Sequence, residues 1–311
     1  MRWALVIARP GDTRDGTGFP LPEPVNERIP AMRPTSIVLA AALAALALPA
    51  SAQDAASTAA AVQADPALIQ AAANANRDGD RARDVHRHPV ETLTFFQVAP
   101  DMKVGEYAPG GGWYSRLLGN YLGEKGKLVG LFFDVTKGPF NPESQERIRA
   151  GAARFAADVE GYSGQPAARF AGYTLDAVPE GEKGTFDRIL VVRMLHNLMR
   201  WNMADSEIRA MRDLLKDDGM VGIVQHRARA DAPYSYTDGS KGYLRQDDVV
   251  ALMELNGFEL VGASEVNANP MDTADHPEGV WEMPPMLRTK REDLKDKGES
   301  DRMTLLFRKR S

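Results

Sequence analysis

A cluster of small residues follows the first predicted strand of the chain. Glu106 to Gly112 reads Glu-Tyr-Ala-Pro-Gly-Gly-Gly, and Asp134 ends the next strand 22 residues after Gly112. Glycines let the backbone turn sharply and approach a ligand closely, because no Cβ intervenes. A carboxylate at the end of the second strand can accept both hydroxyls of a ribose. A glycine run alone is typical of a tight turn, but together with Asp134 it favours a nucleoside-binding site.

The glycine spacing separates two classes of nucleoside cofactor. A dinucleotide site requires G-x-G-x-x-G at the start of a helix, where the pyrophosphate binds. Here the glycines are contiguous, and Glu106 lies just before them. Its carboxylate would repel a pyrophosphate and attract the positively charged sulfonium of S-adenosylmethionine. The sequence therefore favours S-adenosylmethionine over NAD, and a nicotinamide dehydrogenase is the disfavoured alternative.

Polar residues also follow the fourth and fifth predicted strands. His196 and Asn197 come after the fourth, and His226 and Arg227 come after the fifth. His196 titrates near neutral pH, so it is the candidate general base, with a structural histidine in a loop as the alternative. Asn197 could position a substrate or cap a turn. Arg227 could bind an anionic substrate, although a structural ion pair with a carboxylate of the later loop is favoured.

Two further groups of residues have competing interpretations. Trp113 and Tyr114 begin the helix after the glycines, where they could form a pocket wall or pack in the helix core. His86 and His88 form an H-x-H pair, but no further ligand cluster lies near them in the sequence. A turn before Pro89 is favoured for that pair, and we predict no metal site.

Strands and helices must alternate along the chain to position these residues. Apolar runs predict strands, and apolar residues spaced three and four apart predict helices. We expect Gly219 and Gly257 to end two of the helices. The predicted strands are 103–107, 127–133, 168–173, 186–192, 220–225, 258–266 and 303–308, and the predicted helices are 66–74, 90–96, 113–122, 142–160, 204–215 and 245–256. This alternation is typical of a mostly parallel sheet covered on both faces, a three-layer α/β fold.

The N-terminal segment has the pattern of an export signal in an unusual position. Residues 1–31 have no apolar periodicity, which is typical of disorder or of sequence upstream of the true start. Residues 32–52 begin with Met32 and Arg33, continue with an apolar run and end in Ala-Ser-Ala, the pattern of a cleavable signal peptide. We expect cleavage after Ala52, a flexible lead-in over 53–64, and a periplasmic or secreted product. The apolar run is too short for a permanent membrane anchor.

Composition excludes several function classes. The 311 residues contain no cysteine, which excludes disulfides, thiolate metal sites and thiol catalysis. The formal net charge of -5 gives no electrostatic basis for binding nucleic acid. A small molecule is therefore the expected partner, and the sequence makes no prediction of oligomeric state.

The chain resembles the class I S-adenosylmethionine-dependent methyltransferases, and within them a bacterial group of predicted exported methyltransferases. The resemblance runs from His86 to the C-terminus. It rests on the segments 106–114, 195–197, 225–228, 267–270, 279–281 and 298–303. The family motif is acidic-x-G-x-G-x-G, and this chain departs from it by having Ala108 at the first glycine position.

The resemblance implies a Rossmann-like, doubly wound sheet of seven strands in the order 3-2-1-4-5-7-6, with the last strand antiparallel. Glu106, Ala108, Gly110 and Gly112 would frame the methionine part of S-adenosylmethionine, and Asp134 would bind its ribose. Residues 65–311 would form the methyltransferase-like domain, in which residues 267–301 are an insertion that lies over the cofactor edge as a lid or a substrate wall.

Two functions remain open at this stage. The first is an S-adenosylmethionine-dependent methyltransferase acting on a small molecule. The alternative is a non-catalytic exported protein that keeps the fold and binds a nucleoside or another small molecule, since the cofactor is made in the cytoplasm and the motif is altered at Ala108.

Overall fold

A seven-stranded sheet forms the centre of the protein in the computed structural model, which describes residues 63–310. The strand order is β3-β2-β1-β4-β5-β7-β6, as the resemblance implies. Strands β1 to β5 pair in parallel, whereas β7 runs antiparallel to both β5 and β6. The strands are β1 Lys103–Tyr107, β2 Lys127–Phe132, β3 Phe170–Thr174, β4 Phe186–Val192, β5 Leu215–His226, β6 Phe258–Ser264 and β7 Arg302–Lys309. The predicted fold class is confirmed.

Helices cover both faces of this sheet. Within the described residues they are α1 Pro66–Ala72, α2 Asp84–Arg87, α3 Pro89–Phe95, α4 Trp113–Tyr121, α5 Pro142–Ser163, α6 Leu195–Arg200, α7 Ala204–Leu214, α8 Tyr234–Thr237 and α9 Gln246–Leu255. The core on one face joins the sheet to α7 and α9, and the core on the other joins it to α1, α3, α4 and α5. Neighbouring residues of a strand point to opposite faces, so Leu190 lies in one core while Ile189 and Val191 lie in the other. The same alternation directs Glu106 towards α4 and Tyr107 towards α7.

The predicted element boundaries hold to within a few residues, with two exceptions. The helix α7 ends at Leu214 and β5 begins at once with Leu215, so the prediction that Gly219 ends the helix is wrong. The reason is a bulge: Leu215 pairs with Phe186 and Met220 with Arg188, so the residues between them leave the regular register. The second exception is the set of short helices α2, α6 and α8, which the sequence pattern did not indicate; α6 contains His196.

The connection from β6 to β7 is long and contains no strand. Its only regular pieces are single turns of 3-10 helix at Gly279–Glu282 and Glu292–Leu294. Buried polar contacts hold it in place. Asn267 donates to the hydroxyls of Thr92 and Thr304, both at 2.9 Å, and His276 lies 2.9 Å from Asp272. We call residues 267–301 the insertion; it reaches over the carboxyl ends of β4 and β5.

The predictions for the N-terminal region fall outside the described residues. This applies to the segment 1–31, the signal peptide 32–52 and nearly all of the lead-in 53–64. In the part that is described, no helix combines the length and apolar character needed to cross a membrane.

Candidate functional site

The segment after β1 forms a tight loop with three left-handed backbone positions. Ala108, Gly110 and Gly112 have φ values of 50°, 58° and 76°. The amide of Ala108 donates to the carbonyl of Leu131 at 2.7 Å, which ties the loop to β2. A Cβ on Gly111 would have no atom within 4 Å, and one on Gly110 would meet only the Ala108 carbonyl oxygen at 3.9 Å. The loop therefore presents its backbone to open space.

Glu106 lies beneath this loop with its side chain directed to α4. It is 5% exposed, and its carboxyl accepts a 2.6 Å hydrogen bond from the hydroxyl of Ser115. Burial raises the pKa of Glu106 to about 8, although the Ser115 hydrogen bond and the charge of Arg116 act in the opposite direction. The carboxyl is thus mostly protonated at pH 7, and a cation placed beside it would favour its ionised form.

A cavity of about 170 Å³ opens between this loop and the end of β4. We call it the loop cavity. Five of the predicted site residues line it: Glu106, Ala108, Gly110, Trp113 and Tyr114. Gly112 does not line it and instead begins α4 in the left-handed conformation. The sequence left the position of the two aromatic residues open, and both lie in this wall.

Three polar atoms in the residues that line the loop cavity are buried and have no hydrogen-bond partner. They are Nη2 of Arg87, Nε1 of Trp113 and Oδ1 of Asn267. Buried polar atoms normally have a partner, because leaving one unpaired costs about 1–3 kcal/mol. Two donors and one acceptor on residues that line the loop cavity are therefore buried and unpaired.

Asp134 lies at the same edge of the sheet as Glu106 but does not line the loop cavity. Its Oδ1 accepts from the amide and the hydroxyl of Thr136, at 2.9 and 2.6 Å, and its Oδ2 lies 3.3 Å from Nζ of Lys137. Lys137 is half exposed, so this ion pair is weak. Oδ2 of Asp134 could therefore accept a hydrogen bond from a ligand at little cost in free energy.

A buried glutamate that the sequence analysis did not identify fixes Asp134. Glu207 of α7 accepts from the hydroxyl of Tyr107 at 2.6 Å and from the amide of Asp134 at 2.9 Å. Burial raises the pKa of Glu207 to about 7. Glu207 could have been recognised from the sequence, because it is an acidic residue next to the apolar positions Ala204 and Ile208 on the buried side of α7.

His196 and His226 lie together at the ends of β4 and β5, with ring centroids 5.7 Å apart. His196 Nδ1 is 3.3 Å from Oε1 of Gln225, whose amide nitrogen donates to the carbonyl of Gly242 at 2.8 Å. An amide oxygen can only accept, so Nδ1 carries the proton and Nε2 of His196 is the basic nitrogen. His226 Nδ1 lies 2.6 Å from the hydroxyl of Ser300 in the insertion.

Both histidines are neutral at pH 7. Burial lowers the pKa of His196 to about 4, and the charges of Arg200 and Arg193 act in the same direction. Burial also holds the pKa of His226 well below its usual value, with His196 and Arg193 contributing. Neutral imidazoles can accept a proton or a hydrogen bond, so the pair can orient a polar substrate group.

A second cavity of about 290 Å³ lies between these histidines and the insertion. We call it the insertion cavity. His196, Asn197 and His226 line one side of it, and Val280, Trp281, Pro284, Pro285 and Met286 line the other. Arg193, directly after β4, lines both cavities. The two spaces are therefore neighbours that share one cationic side chain.

An arginine cluster lies where the insertion meets α2 and β7. Glu299 pairs with Arg83 at 2.6 Å, with Arg87 at 3.1 Å and with Arg302 at 3.2 Å. These ion pairs hold Glu299 of the insertion against α2 and β7. The roles of Arg87 and Arg193 in the cavity walls were missed. Arg193 could have been noticed because it follows a buried strand directly, whereas the sequence around Arg87 carries no such signal.

Arg227 lies outside both cavities. Its guanidinium pairs with Asp301 at 2.8 Å and with Glu265 at 2.7 Å, which is the favoured structural ion pair. His88 adopts φ 40° just before Pro89, so the predicted turn is present there. Among residues 63–310, no three side chains of His, Asp or Glu are grouped in a way that could hold a metal ion.

The similarity of this chain to known proteins is limited to solved structures. No protein-family model matches the chain, and no curated protein sequence matches it. A methyltransferase dependent on S-adenosylmethionine from Aquifex aeolicus has 15% identity over 79% of this chain and 99% of its own, with a TM-score of 0.46.

Two further solved structures are similarly distant. A TehB-like methyltransferase from Corynebacterium glutamicum has 14% identity over 78% of this chain and 96% of its own, with a TM-score of 0.42. A 1,6-didemethyltoxoflavin-N1-methyltransferase from Burkholderia thailandensis, solved with S-adenosylhomocysteine, has 14% identity over 79% of each chain and a TM-score of 0.39. Identity this low carries no information about the substrate of this chain.

Proposed function

We propose that this protein is an S-adenosylmethionine-dependent methyltransferase that acts on a small-molecule acceptor. One observation carries the proposal: two cavities meet at the carboxyl edge of a sheet with the order 3-2-1-4-5-7-6, one behind the glycine loop and one beside a neutral histidine. In doubly wound folds this edge is where ligands bind. Methyl transfer needs a donor site and an acceptor site in contact, and the two cavities share Arg193.

The residues around the loop cavity fit the cofactor. The open space beside Gly110 and Gly111 would admit the methionine part, and the carboxyl of Glu106 would face its positive charge. The unpaired Oδ1 of Asn267 would accept from an ammonium group. Asp134, at the end of the neighbouring strand, would accept the ribose hydroxyls once Lys137 moves away.

When bound, S-adenosylmethionine would supply a methyl group on a sulfonium sulfur, for transfer to an acceptor atom. The contribution of the chain is to hold the acceptor in line and to exclude water. Nε2 of His196 would accept a hydrogen bond from a hydroxyl or amine acceptor and orient it, because Gln225 fixes the tautomer that leaves this nitrogen free. The pKa of about 4 makes His196 a weak general base at pH 7, contrary to the expectation from its residue type. Val280 and Trp281 of the insertion would close the cavity from solvent, which is the role of a lid.

A binding protein without catalysis is the second candidate, and the size of the loop cavity favours it. Its 170 Å³ is below the 300–1,000 Å³ that is typical of small-molecule sites. Ala108 also adopts a left-handed conformation that glycine adopts without strain. In this case the protein would bind a smaller ligand in the insertion cavity.

The substitution Gly111→Leu tests the cofactor site. Gly111 has no atom within 4 Å of its Cβ position and no positive φ, so leucine would fill the ligand space without straining the backbone. We expect isothermal titration calorimetry to detect S-adenosylmethionine binding to the protein beginning at Gln53 and to detect none in the variant. Gly181→Leu, also in open space but far along the chain, is the matched control and should bind as the parent does. No binding by the parent at millimolar cofactor would contradict the proposal.

If the cofactor binds, a methyl-release assay with candidate acceptors separates the two functions. Turnover that falls at least tenfold in His196→Asn, with cofactor affinity unchanged, would support catalysis. Binding without turnover would favour the second candidate.

We also propose that the protein is exported after cleavage behind Ala52. The support is the pattern in residues 32–52, a basic start, an apolar run and Ala-Ser-Ala. N-terminal sequencing of protein from the periplasm or medium should begin at Gln53. Full-length protein confined to the cytoplasm would contradict export.

A further inference from the structure

We infer that the acceptor molecule carries a carboxylate group that pairs with Arg193 at the junction of the two cavities. This inference rests on the proposed function, because it assigns the acceptor to the insertion cavity. It goes beyond that function by naming the chemical class of the acceptor.

Arg193 has no direct ion-pair partner among the described residues, although Glu299 lines the insertion cavity with it and its charge acts to raise the pKa of Arg193. Its side chain makes no hydrogen bond and no ion pair with any described residue, although its amide donates to the carbonyl of Val224 at 2.6 Å. Its backbone has φ 53°, a conformation that costs a residue other than glycine about 1–2 kcal/mol. Burial, and then the charges of Arg87 and Arg302, lower the pKa of Arg193 to about 9. The guanidinium therefore still carries its charge at pH 7.

The charges around Arg193 do not balance. Arg87, Arg193 and Arg302 all line the loop cavity, where Glu106 is the one carboxyl among the described residues. Of these arginines, Arg193 alone also lines the insertion cavity, and Glu299 lines it as well. Glu106 is mostly protonated at pH 7, as described above. Glu299 is already shared among Arg83, Arg87 and Arg302.

Arg87 adds an independent observation. It is 5% exposed, it lines the loop cavity, and its buried Nη2 has no hydrogen-bond partner, although the guanidinium lies 5.0 Å from the ring centroid of Trp113. An unpaired charged donor in a buried position is costly, and an anion would satisfy it. The junction of the cavities thus has the composition of an anion site.

The remaining walls indicate what the carboxylate is attached to. The insertion contributes apolar side chains, including Val280, Trp281 and Met286. The opposite side contributes neutral histidines and Asn197, which can hydrogen-bond a hydroxyl or amine. An aromatic or otherwise apolar acid that bears a hydroxyl or amine matches all three features: an arginine for the carboxylate, an apolar wall for the ring and His196 for the methylated group.

Binding of simple aromatic acids tests this inference. We expect 4-hydroxybenzoate and benzoate to bind the protein beginning at Gln53 at least tenfold more tightly than phenol and benzyl alcohol, which lack the carboxylate. The substitution Arg193→Gln should weaken both acids about tenfold to a hundredfold, the usual contribution of a charge-assisted hydrogen bond. The affinity of Arg193→Lys for the acids should lie between that of the parent and that of Arg193→Gln, because lysine keeps the charge but lacks the planar guanidinium.

Two controls separate a specific loss from unfolding. Arg154→Gln removes an arginine whose side chain is 66% exposed on α5, and it should leave acid binding unchanged. Urea unfolding of each variant establishes that it is folded at the temperature of the titration. Equal affinity for the acids and their uncharged analogues in the parent protein would overturn the inference.

The carboxylate of the cofactor is the competing source of negative charge. S-adenosylhomocysteine carries that carboxylate, and 5′-methylthioadenosine lacks it. If Arg193→Gln weakens S-adenosylhomocysteine alone, while 5′-methylthioadenosine and the aromatic acids are unaffected, the arginine serves the cofactor and the inference is wrong.

The same titrations distinguish failure of the inference from failure of the proposed function. Binding of S-adenosylmethionine without preference for the acids would leave the methyltransferase proposal standing and remove the acceptor class. Binding of the acids through Arg193 without any binding of S-adenosylmethionine would support the anion site and contradict the cofactor proposal.

Discussion

The two walls of the site are built in different ways. The loop wall comes from one continuous stretch, Glu106 to Tyr114, and its shape is set by local backbone conformation. The insertion wall is assembled from distant parts of the chain, as in the pair Arg83 and Glu299, which are 216 residues apart. A continuous wall can be recognised from its sequence pattern, whereas an assembled wall becomes visible only in the folded molecule.

The walls also differ in charge. The loop wall begins with Glu106, whose carboxyl is kept mostly neutral by burial. The backbone at Gly110 and Gly111 faces open space. The insertion wall has Glu299, which pairs with Arg83, Arg87 and Arg302, and Arg87 and Arg302 also line the loop cavity. The loop wall therefore offers a carboxyl that a cation would ionise, whereas the arginines that face it favour an anion.

Removing the carboxylate of Glu299 should cause the largest loss of stability in the insertion wall. Glu299→Gln would leave Arg87 and Arg302 buried without their counterion, and breaking such a pair costs about 3–5 kcal/mol. Urea denaturation should show this loss in the free energy of unfolding. Glu292→Gln, at a side chain that is 87% exposed, should change it by less than about 0.5 kcal/mol. A similar small change in both variants would show that the insertion is held by other contacts.

The pH dependence of cofactor affinity tests the loop wall. S-adenosylmethionine is a cation at sulfur, so it should favour the ionised carboxyl of Glu106, whose pKa is about 8. Affinity should rise by up to about tenfold per pH unit between pH 6 and pH 8, and then level off. Glu106→Gln should abolish the rise in calorimetric titrations.

The uncharged sulfur of S-adenosylhomocysteine provides the control for that experiment. Its affinity should change much less over the same pH range. If both ligands show the same pH profile, Glu106 does not face the sulfonium, and the electrostatic contrast between the walls is wrong.

Acid should destabilise the region where the two walls meet. The pKa of His196 falls from about 6.5 in the unfolded chain to about 4 in the folded one, so the unfolded state binds more protons between these values. Stability from this group is complete above pH 6.5 and is lost as the pH falls towards 4. The difference in unfolding free energy between pH 7 and pH 4.5 should be roughly 2 kcal/mol smaller in His196→Asn than in the parent.

The matched control for acid sensitivity is His86→Asn, because His86 is an exposed histidine. His226 remains in the His196 variant and retains part of the dependence, since its pKa is shifted in the same direction. Equal pH dependence in the parent and in His196→Asn would show that His196 is not held neutral by burial.

The smallest expected effect concerns the backbone of the loop wall. Ala108 has φ 50°, so Ala108→Gly relieves strain while adding freedom to the unfolded chain. We expect a net gain of up to about 1 kcal/mol in unfolding free energy. The same substitution in a regular helix, Ala150→Gly in α5, should cost about 1 kcal/mol. Losses of equal size at both positions would mean that the loop conformation is not strained.

Much of the fold followed from the sequence because its signals are local. The strand Phe186–Val192 was predicted with the observed ends, and the first helix begins at Pro66 as predicted. The loop residues could be assigned because a strand, a glycine run and Asp134 lie within one short segment. The bulge in β5 could not be predicted from the sequence, because residues 216–219 resemble a helix end until the pairing with β4 is known.

The sequence by itself determined the alternation of strands and helices, the glycine loop and the histidines at the strand ends. These features depend on periodicity and on residue types within about one strand and one helix of each other. The tertiary structure decided which charges meet. It brought Glu207 to the amide of Asp134, gathered Arg87, Arg193 and Arg302 around one cavity, and left Arg193 without a direct ion pair among the described residues. No local pattern encodes these contacts, because each depends on how distant segments pack together and how much water they exclude.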